Sequence, residues 1–144
     1  MNDGQAAAPV HTPRRKKISI MQINTDRKAV TTDIVLCMAR RDGTDIILMA
    51  EPNKKMAKRY GWLTDDRADA AIIIPNGEVA AYGSGSGEGY VWLEMDEVVV
   101  YSCYCSPNVS NEQYERYVAS LGADIVRQGK DVLIGGDFNA KATE

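Results

Sequence analysis

A short apolar stretch constrains the fold of this chain more than any other feature. Residues 46–50 read Ile-Ile-Leu-Met-Ala, with Asp45 before them and Glu51 after them. A run of this length is far too short to cross a bilayer, which needs about 20 apolar residues, so we expect no membrane partner. A short, continuously apolar run is instead typical of a strand that is buried on both faces of a sheet. The sequence therefore predicts a covered, buried strand at this point.

The segment before this run predicts a strand–helix–strand unit. Residues 18–23 alternate in polarity and end at Asn24, which is typical of a strand with a polar residue at its exit. We expect Asp26 to cap a helix over residues 27–41, and Gly43 to end it. Apolar residues recur in this helix at i, i+4, i+7 and i+8, which predicts a buried stripe. The members of the stripe are Val30, Ile34, Cys37 and Met38.

The middle of the chain predicts an antiparallel meander, because its strand candidates are short and are separated by turn signals. The candidates span residues 70–74, 78–81, 89–95 and 97–104. A glycine–serine run over residues 83–89 separates two of them, and we expect it to be a mobile hairpin loop. No strand-to-helix transition surrounds this run, so it does not match a phosphate-binding loop.

A second helix and a last strand follow. Ser110 or Asn111 is expected to cap the helix. One apolar face of this helix comprises Tyr114, Tyr117, Val118, Leu121 and Ile125. Residues 130–134 predict another buried strand, after which Gly135 and Gly136 let the backbone turn sharply. The elements together predict the α/β (α+β) class, with a mixed sheet or part of a sheet sandwich and helices on the outside.

Composition and charge limit the classes of function. The chain has 144 residues and a net charge of −3, which excludes non-specific coating of nucleic acid by bulk positive charge but not a local phosphate site. We expect one domain over residues 17–144, after a flexible basic tail over residues 1–16 that contains His11, the single histidine. Three cysteines without a secretory segment indicate reduced thiols and a nuclear or cytoplasmic location.

Two carboxylates and two amides stand at strand exits. Glu51 and Asp137 each follow an apolar strand, and carboxylate oxygens suit a hard divalent cation such as Mg²⁺. Asn24 and Asn139 occupy comparable exits, and their amides can donate to phosphoryl oxygens without adding repulsive charge. A single acidic residue at a strand end is more often a turn cap, but the recurrence of the pattern favours a site.

Tyr104 is a further candidate, because it lies where a strand breaks before Pro107. Its hydroxyl could bind a phosphate oxygen, and a half-buried aromatic residue with no functional role is an equally good interpretation. Strand alternation makes Tyr104 face away from Cys103 and Cys105.

Four motifs, in this order, resemble the endonuclease/exonuclease/phosphatase superfamily. The motifs are Gln22–Asn24, Ala50–Pro52, Tyr104–Asn108 and Gly136–Asn139. A finer resemblance is to the N-terminal endonuclease domain of insect non-LTR (LINE-type) retrotransposon polyproteins. The stretches that carry it are Ala70–Ile74, Gly85–Trp92 with Tyr101–Asn108, and Gly136–Ala140. Each motif alone is short, and the specificity comes from their shared order.

The resemblance implies a four-layer αββα sandwich that works as a metal-dependent DNA endonuclease. Its implied cofactor is Mg²⁺, with Mn²⁺ as an alternative, and its implied partners are DNA and the rest of a retrotransposon polyprotein. Glu51 would bind the metal, Asn24 would assist at the metal and the phosphate, and Tyr104 would contact the scissile phosphate. Asp137 would orient or deprotonate the attacking water, and Asn139 would stabilise the transition state. The resulting nick would leave a 3′-hydroxyl that primes reverse transcription.

The sequence departs from the family pattern in two places. Ala50 stands where relatives usually have Gln, so a hydrogen bond that supports the metal ligand is absent. The chain also stops five residues after Asn139, so we expect the family's second half, with a further Asp and a closing Asp-His pair, to be missing. His11 is not that histidine, because it precedes every motif. We therefore expect the truncated N-terminal portion of a domain, with residues 132–134 exposing a sheet edge and apolar surface. A catalytically inactive fragment, a binding module and a phosphatase of the same superfamily remain alternatives.

Overall fold

The structure, a computed structural model, describes residues 17–77 and 79–140, which form two four-stranded sheets and three helices. The helices are Ala29–Asp42 (α1), Lys54–Tyr60 (α2) and Asn111–Gln128 (α3). The strands are Ile20–Asn24 (β1), Ile46–Ala50 (β2), Leu63–Thr64 (β3), Ala70–Ile73 (β4), Gly83–Gly87 (β5), Tyr90–Glu94 (β6), Val98–Tyr104 (β7) and Asp131–Asp137 (β8). The predicted tail over residues 1–16, with His11, lies outside the described residues.

The first sheet has the strand order β1-β2-β4-β3. β1 and β2 are parallel neighbours, as predicted, and their register places Asn24 opposite Ala50. Since parallel strands end at the same edge of a sheet, Asn24 and the residue that follows β2, Glu51, leave the sheet side by side. β4 lies antiparallel to β2 in this sheet, so the predicted meander does not begin at residue 70.

The second sheet has the order β5-β6-β7-β8. β5, β6 and β7 form an antiparallel meander, whereas β7 and β8 are parallel and pair Tyr104 with Asp137. Both sheets are therefore mixed. Each sheet contains one parallel pair whose carboxyl ends bring two of the predicted site residues to the same edge.

Side-chain alternation in β2 connects the layers. Ile46 and Leu48 pack between the two sheets, against residues such as Val100 of β7. Ile47 and Met49 face the other way, toward α1. α3 covers the second sheet through Leu121. The chain thus forms an α/β sandwich with the layer order helix, sheet, sheet, helix, which confirms the predicted class and the prediction that β2 is buried on both faces.

The predicted buried stripe of α1 is wrong, because that face points to solvent. Val30 is 72% exposed and Ile34 is 55% exposed, and the remaining two members, Cys37 and Met38, are exposed as well. The buried residues of the helix are Thr32, Val35, Leu36 and Ala39. This second set follows the same helical period, so periodicity alone does not distinguish the two faces.

Asp26 does not cap α1. The N-cap residue is Lys28, without a side-chain hydrogen bond, and Asp26 lies in a left-handed turn with φ +51°. The second predicted cap is confirmed, since Ser110 accepts a hydrogen bond from the Gln113 backbone at 3.1 Å and the Gln113 side chain accepts one from Ser110 at 2.8 Å. Among residues 17–77 and 79–140, no helix is both long enough and apolar enough to cross a bilayer.

The glycine–serine run is a strand, not a mobile loop. Gly83–Gly87 forms β5 and pairs with β6. A methyl group at Gly85 would collide with the Trp92 ring, and one at Gly87 would collide with the Tyr90 ring. Glycine is therefore required because the aromatic rings of β6 lie across the face of β5. Residues 79–81, part of a predicted strand, carry no regular structure.

The two glycines before Asp137 continue β8 and do not turn the backbone. A Cβ atom at Gly135 would lie 2.6 Å from Leu48 Cδ1, and one at Gly136 would collide with the Cys103 carbonyl. The glycines thus allow β8 to lie close to the core. Among the described residues β8 pairs with β7 alone. Ile134 is 44% exposed, which contradicts the predicted burial of this strand and agrees with the expected exposed edge.

Candidate active site

The carboxyl ends of the two parallel pairs meet at one edge of the sandwich, where an amide joins two carboxylates. Asn24 Nδ2 donates to Glu51 Oε1 at 3.0 Å and to Asp137 Oδ2 at 3.1 Å. The two carboxylate oxygens therefore lie no more than about 6 Å apart. Asn24 Oδ1 accepts a hydrogen bond from the Asp26 backbone at 2.8 Å. These contacts fix the amide orientation, with its donor nitrogen toward the acids.

The backbone at Glu51 is held in a conformation that residues other than glycine adopt rarely. Its φ is +48°, in the left-handed region that costs about 1–3 kcal/mol unless the surroundings enforce it. The Glu51 N–H donates to the Asp69 carbonyl at 2.8 Å. The Glu51 carbonyl accepts from the Arg27 backbone at 2.8 Å and from Thr25 Oγ1 at 3.1 Å. These three bonds aim the side chain at the sheet edge.

Arg27 and Asp69 form a supporting layer that the sequence analysis missed. Arg27 Nη2 contacts Asp69 Oδ1 at 2.6 Å, and Arg27 Nη1 donates to the carbonyls of Pro52 and Ala68. The guanidinium thereby ties together the segments on both sides of Glu51. The Asp-rich loop of residues 65–69 was the available sequence signal, but it shows no period and follows no apolar strand.

Asp65 holds the other end of this loop. The residue is 2% exposed, and its carboxylate accepts hydrogen bonds from the backbones of Asp69, Ala70 and Gly89. Because the last of these belongs to the turn between β5 and β6, Asp65 connects the first sheet to the second. Its role is structural.

Tyr104 is half-buried at the end of β7, opposite Asp137 in the strand register. Burial raises the pKa of Tyr104 above its ordinary value, and the negative charge of Glu51 and then of Asp137 raises it further. A contact with Ser106 opposes this shift in part. The phenol therefore stays protonated at neutral pH and is a hydrogen-bond donor at the edge of the site.

Asn139 completes the group, beside Asp137. Its backbone has φ +44°, and its N–H approaches Asp137 Oδ1 at 3.3 Å. Its side-chain amide donates to the Cys105 carbonyl at 2.8 Å. All the predicted site residues are thus brought together at one edge. The Asn139 amide has one further N–H, which is not used by this contact.

The donor set fits a hydrated divalent cation. Mg²⁺ is usually held by one or two carboxylates, with water and substrate phosphate as the other ligands, and Glu51 and Asp137 supply two carboxylates within reach of one another. Over the described part of the chain, no group of three or more His, Cys, Asp or Glu side chains converges on one point. Such a site would offer few protein ligands and would leave space for water and a phosphate.

Comparisons with known proteins bear on the fold. The chain matches no family model and no curated protein. Among solved structures it is similar to the endonuclease domain of TRAS1, a telomere-specific non-LTR retrotransposon, with a TM-score of 0.70 and 21% sequence identity. The similarity covers 87% of this chain and 62% of that structure. The resemblance inferred from the four motifs is thereby confirmed for the architecture: this chain has the fold of a non-LTR retrotransposon endonuclease domain over 62% of that domain's length.

Proposed function

We propose that this site hydrolyses phosphodiester bonds of DNA with the help of a divalent cation. The observation that carries the proposal is the Asn24 amide, which joins Glu51 of one sheet to Asp137 of the other. Two carboxylates from distant parts of the chain, with a phenol donor beside them, are suited to binding a cation and a phosphate together. The similarity to a retrotransposon endonuclease domain supports DNA as the substrate.

Each residue has a defined role in this proposal. Glu51 holds the cation, Mg²⁺ or Mn²⁺, and Asn24 holds Glu51 and Asp137 in position. When bound, the cation supplies Lewis-acid polarisation of a phosphoryl oxygen and charge stabilisation at the leaving oxygen. Asp137 orients the attacking water and accepts its proton. Tyr104 and Asn139 donate hydrogen bonds to the phosphate oxygens, where negative charge increases in the transition state.

The reaction is an in-line displacement at phosphorus. The water oxygen forms a bond to phosphorus as its proton passes to Asp137, the bond from phosphorus to the 3′-oxygen breaks, and that oxygen takes up a proton from solvent. The products are a 5′-phosphate and a 3′-hydroxyl. In a retrotransposon such a 3′-hydroxyl would prime reverse transcription, so the remaining part of a polyprotein is the proposed partner.

Nicking of supercoiled plasmid DNA in the presence of Mg²⁺ tests this function. We expect Glu51→Gln and Asp137→Asn each to reduce the nicking rate by about 10²- to 10⁴-fold, as for loss of a group that takes part directly in proton transfer or charge stabilisation. Asp131→Asn is the matched control, because Asp131 is exposed at the opposite end of the same strand. Unchanged nicking by the folded Asp137→Asn protein would contradict the assigned role.

The same assay separates the alternatives. Release of phosphate from inositol phosphates, without nicking of plasmid DNA, would identify a phosphatase. Binding of DNA by the 144-residue chain without hydrolysis in either metal would identify a binding module. Nicking that depends on both carboxylates would support the proposed function.

A further inference from the structure

A groove adjoins the candidate site, and Tyr104 belongs to both. The groove has a volume of about 480 Å³. It lies between the loop at Arg67, the turn at Glu88 and the N-terminal half of α3. Tyr104 lines the groove, and its strand register pairs it with Asp137 of the site. When the phosphate of a substrate occupies the site, the neighbouring part of that substrate therefore lies at the mouth of this groove.

One wall of the groove is aromatic and rigid. The Tyr117 hydroxyl donates to the Gly89 carbonyl at 3.0 Å, and the Tyr117 ring packs edge-on against Phe138 with 6.5 Å between ring centroids. Val109, also in the groove lining, is half-buried. Such a surface suits the apolar face of a sugar or a base.

Two arginines and two acids line the groove: Arg67, Arg116, Asp69 and Glu88. The acids that line it are already compensated, because Asp69 is paired with Arg27 at 2.6 Å and Glu88 faces Arg67 at 3.9 Å. Arg116, on the exposed side of α3, has no ion-pair or hydrogen-bond partner within residues 17–77 and 79–140. One guanidinium is thus available to an external anion.

We propose that this groove binds the nucleotide next to the scissile phosphate and that Arg116 contacts the backbone phosphate of that nucleotide. The inference rests on the proposed function, which places the scissile phosphate at Tyr104. The volume suits one nucleotide, at the lower end of the range for small-ligand sites. A guanidinium presents a planar set of donors that matches phosphate oxygens, so Arg116 sets the position of the DNA backbone relative to Asp137.

Salt-dependent binding tests the proposal. The probe is a fluorescein-labelled 20-base-pair DNA duplex, and its affinity is measured by anisotropy over a range of NaCl concentrations with Ca²⁺ in place of Mg²⁺. We expect Arg116→Ala to reduce the slope of log affinity against log salt by about one, and to lower the affinity about tenfold near 0.1 M salt. Arg116→Lys should retain the slope, because it keeps the charge.

Two further variants separate the groove from a general charge effect. Arg59→Ala removes an exposed guanidinium near the end of α2, outside the groove, and should leave the slope unchanged. Val109→Trp fills the groove and should lower the affinity without changing the slope. The proposal would be overturned if the Arg116→Ala and Arg59→Ala proteins bound the DNA duplex with the same affinity and the same salt dependence.

Failure of the inference is distinguishable from failure of the proposed function. Nicking that depends on Glu51 and Asp137, together with binding that is insensitive to Arg116, would overturn the groove assignment alone. Binding that depends on Arg116 without any nicking would support the groove and contradict the hydrolytic function.

Discussion

At the scale of single residues, Asn24 determines how close two like charges lie. The carboxylate oxygens of Glu51 and Asp137 are within about 6 Å of one another, with the Asn24 nitrogen hydrogen-bonded to both. A donor shared by two acids offsets part of their repulsion. The Asn24 amide is in turn oriented by the Asp26 backbone. The turn after β1 therefore contributes to the geometry of the site although it contains none of the proposed reacting groups.

Tyr104 provides a direct test of this geometry. Burial and the charge of Glu51 raise the pKa of Tyr104, so Glu51→Gln should lower that pKa toward the ordinary tyrosine value. The measurement is an alkaline absorbance titration of each protein, from which the titration of its Tyr104→Phe counterpart is subtracted. Glu115→Gln, an exposed change on α3, is the control. A Tyr104 titration that is identical in the Glu51→Gln protein and the wild type would contradict the contact.

At the scale of elements, glycine has opposite effects on stability in α3 and in β8. Gly122 lies in an exposed part of α3, and a Cβ atom there would meet nothing within 4 Å. Gly136 lies in β8, where a Cβ atom would collide with the Cys103 carbonyl. The same residue type weakens the helix and is required by the strand.

The two positions make a matched pair of substitutions. We expect Gly122→Ala to raise the free energy of unfolding by about 0.5–1 kcal/mol, because alanine restricts the unfolded chain and favours the helix. Gly136→Ala should lower it by about 1–3 kcal/mol, since β8 must move away from β7. Urea denaturation of both variants beside the wild type measures the difference. Equal stability of the two variants would show that β8 does not lie as close to β7 as described.

Comparison of the elements with the sequence shows what local patterns can predict. β2 was predicted correctly because a continuous apolar run of only five residues is typical of a strand buried on both faces. α1 was correctly predicted as a helix, but the wrong face was predicted to be buried. Val30 of the exposed face and Val35 of the buried face belong to two sets of residues with the same helical period, so the period does not distinguish them. The strand β5 was missed because a glycine–serine run is typical of a loop. Its glycines instead make room for the rings of Trp92 and Tyr90 on the neighbouring strand. Contacts between strands are not visible in a local pattern.

The candidate site was predictable to a similar extent. Its residues were found because polar residues at the exits of parallel strands meet at one edge of a sheet, as Asn24 and Glu51 do. The supporting contact between Arg27 and Asp69 was not predicted, because it depends on how two loops approach each other. The proposed roles of the site residues stay predictions until the nicking assay is done.

At the scale of the whole molecule, buried phenol and thiol groups connect stability to pH. Burial raises the pKa of Tyr90, Tyr101 and Tyr117, and it raises the pKa of the Cys103 thiol to about 12. All four lie at or near the interface between the second sheet and α3. The folded state therefore keeps protons that the unfolded chain releases at lower pH.

The sign of the effect follows from this proton balance. The stabilisation is complete below about pH 8 and is lost as the pH rises past the unfolded pKa values, about 8.5 for cysteine and about 10 for tyrosine, because only the unfolded chain then releases these protons. The free energy of unfolding should fall by about 1.4 kcal/mol per pH unit for each group that is protonated in the folded state alone. Thermal unfolding from pH 7 to pH 10.5 measures the slope. Tyr117→Phe should make it shallower, and Tyr60→Phe, at an exposed site, should not. A stability that stays constant over this range would contradict the burial of these groups.

The bond from Asn24 to Asp137 crosses the boundary between the two sheets, since each residue ends a strand of a different layer. Sliding of one layer over the other by a single residue, about 3.3 Å, would stretch this bond beyond hydrogen-bonding range. The geometry of the site therefore depends on the relative position of the two sheets. Core substitutions that let one sheet shift relative to the other should therefore separate Glu51 from Asp137 while the protein is still folded.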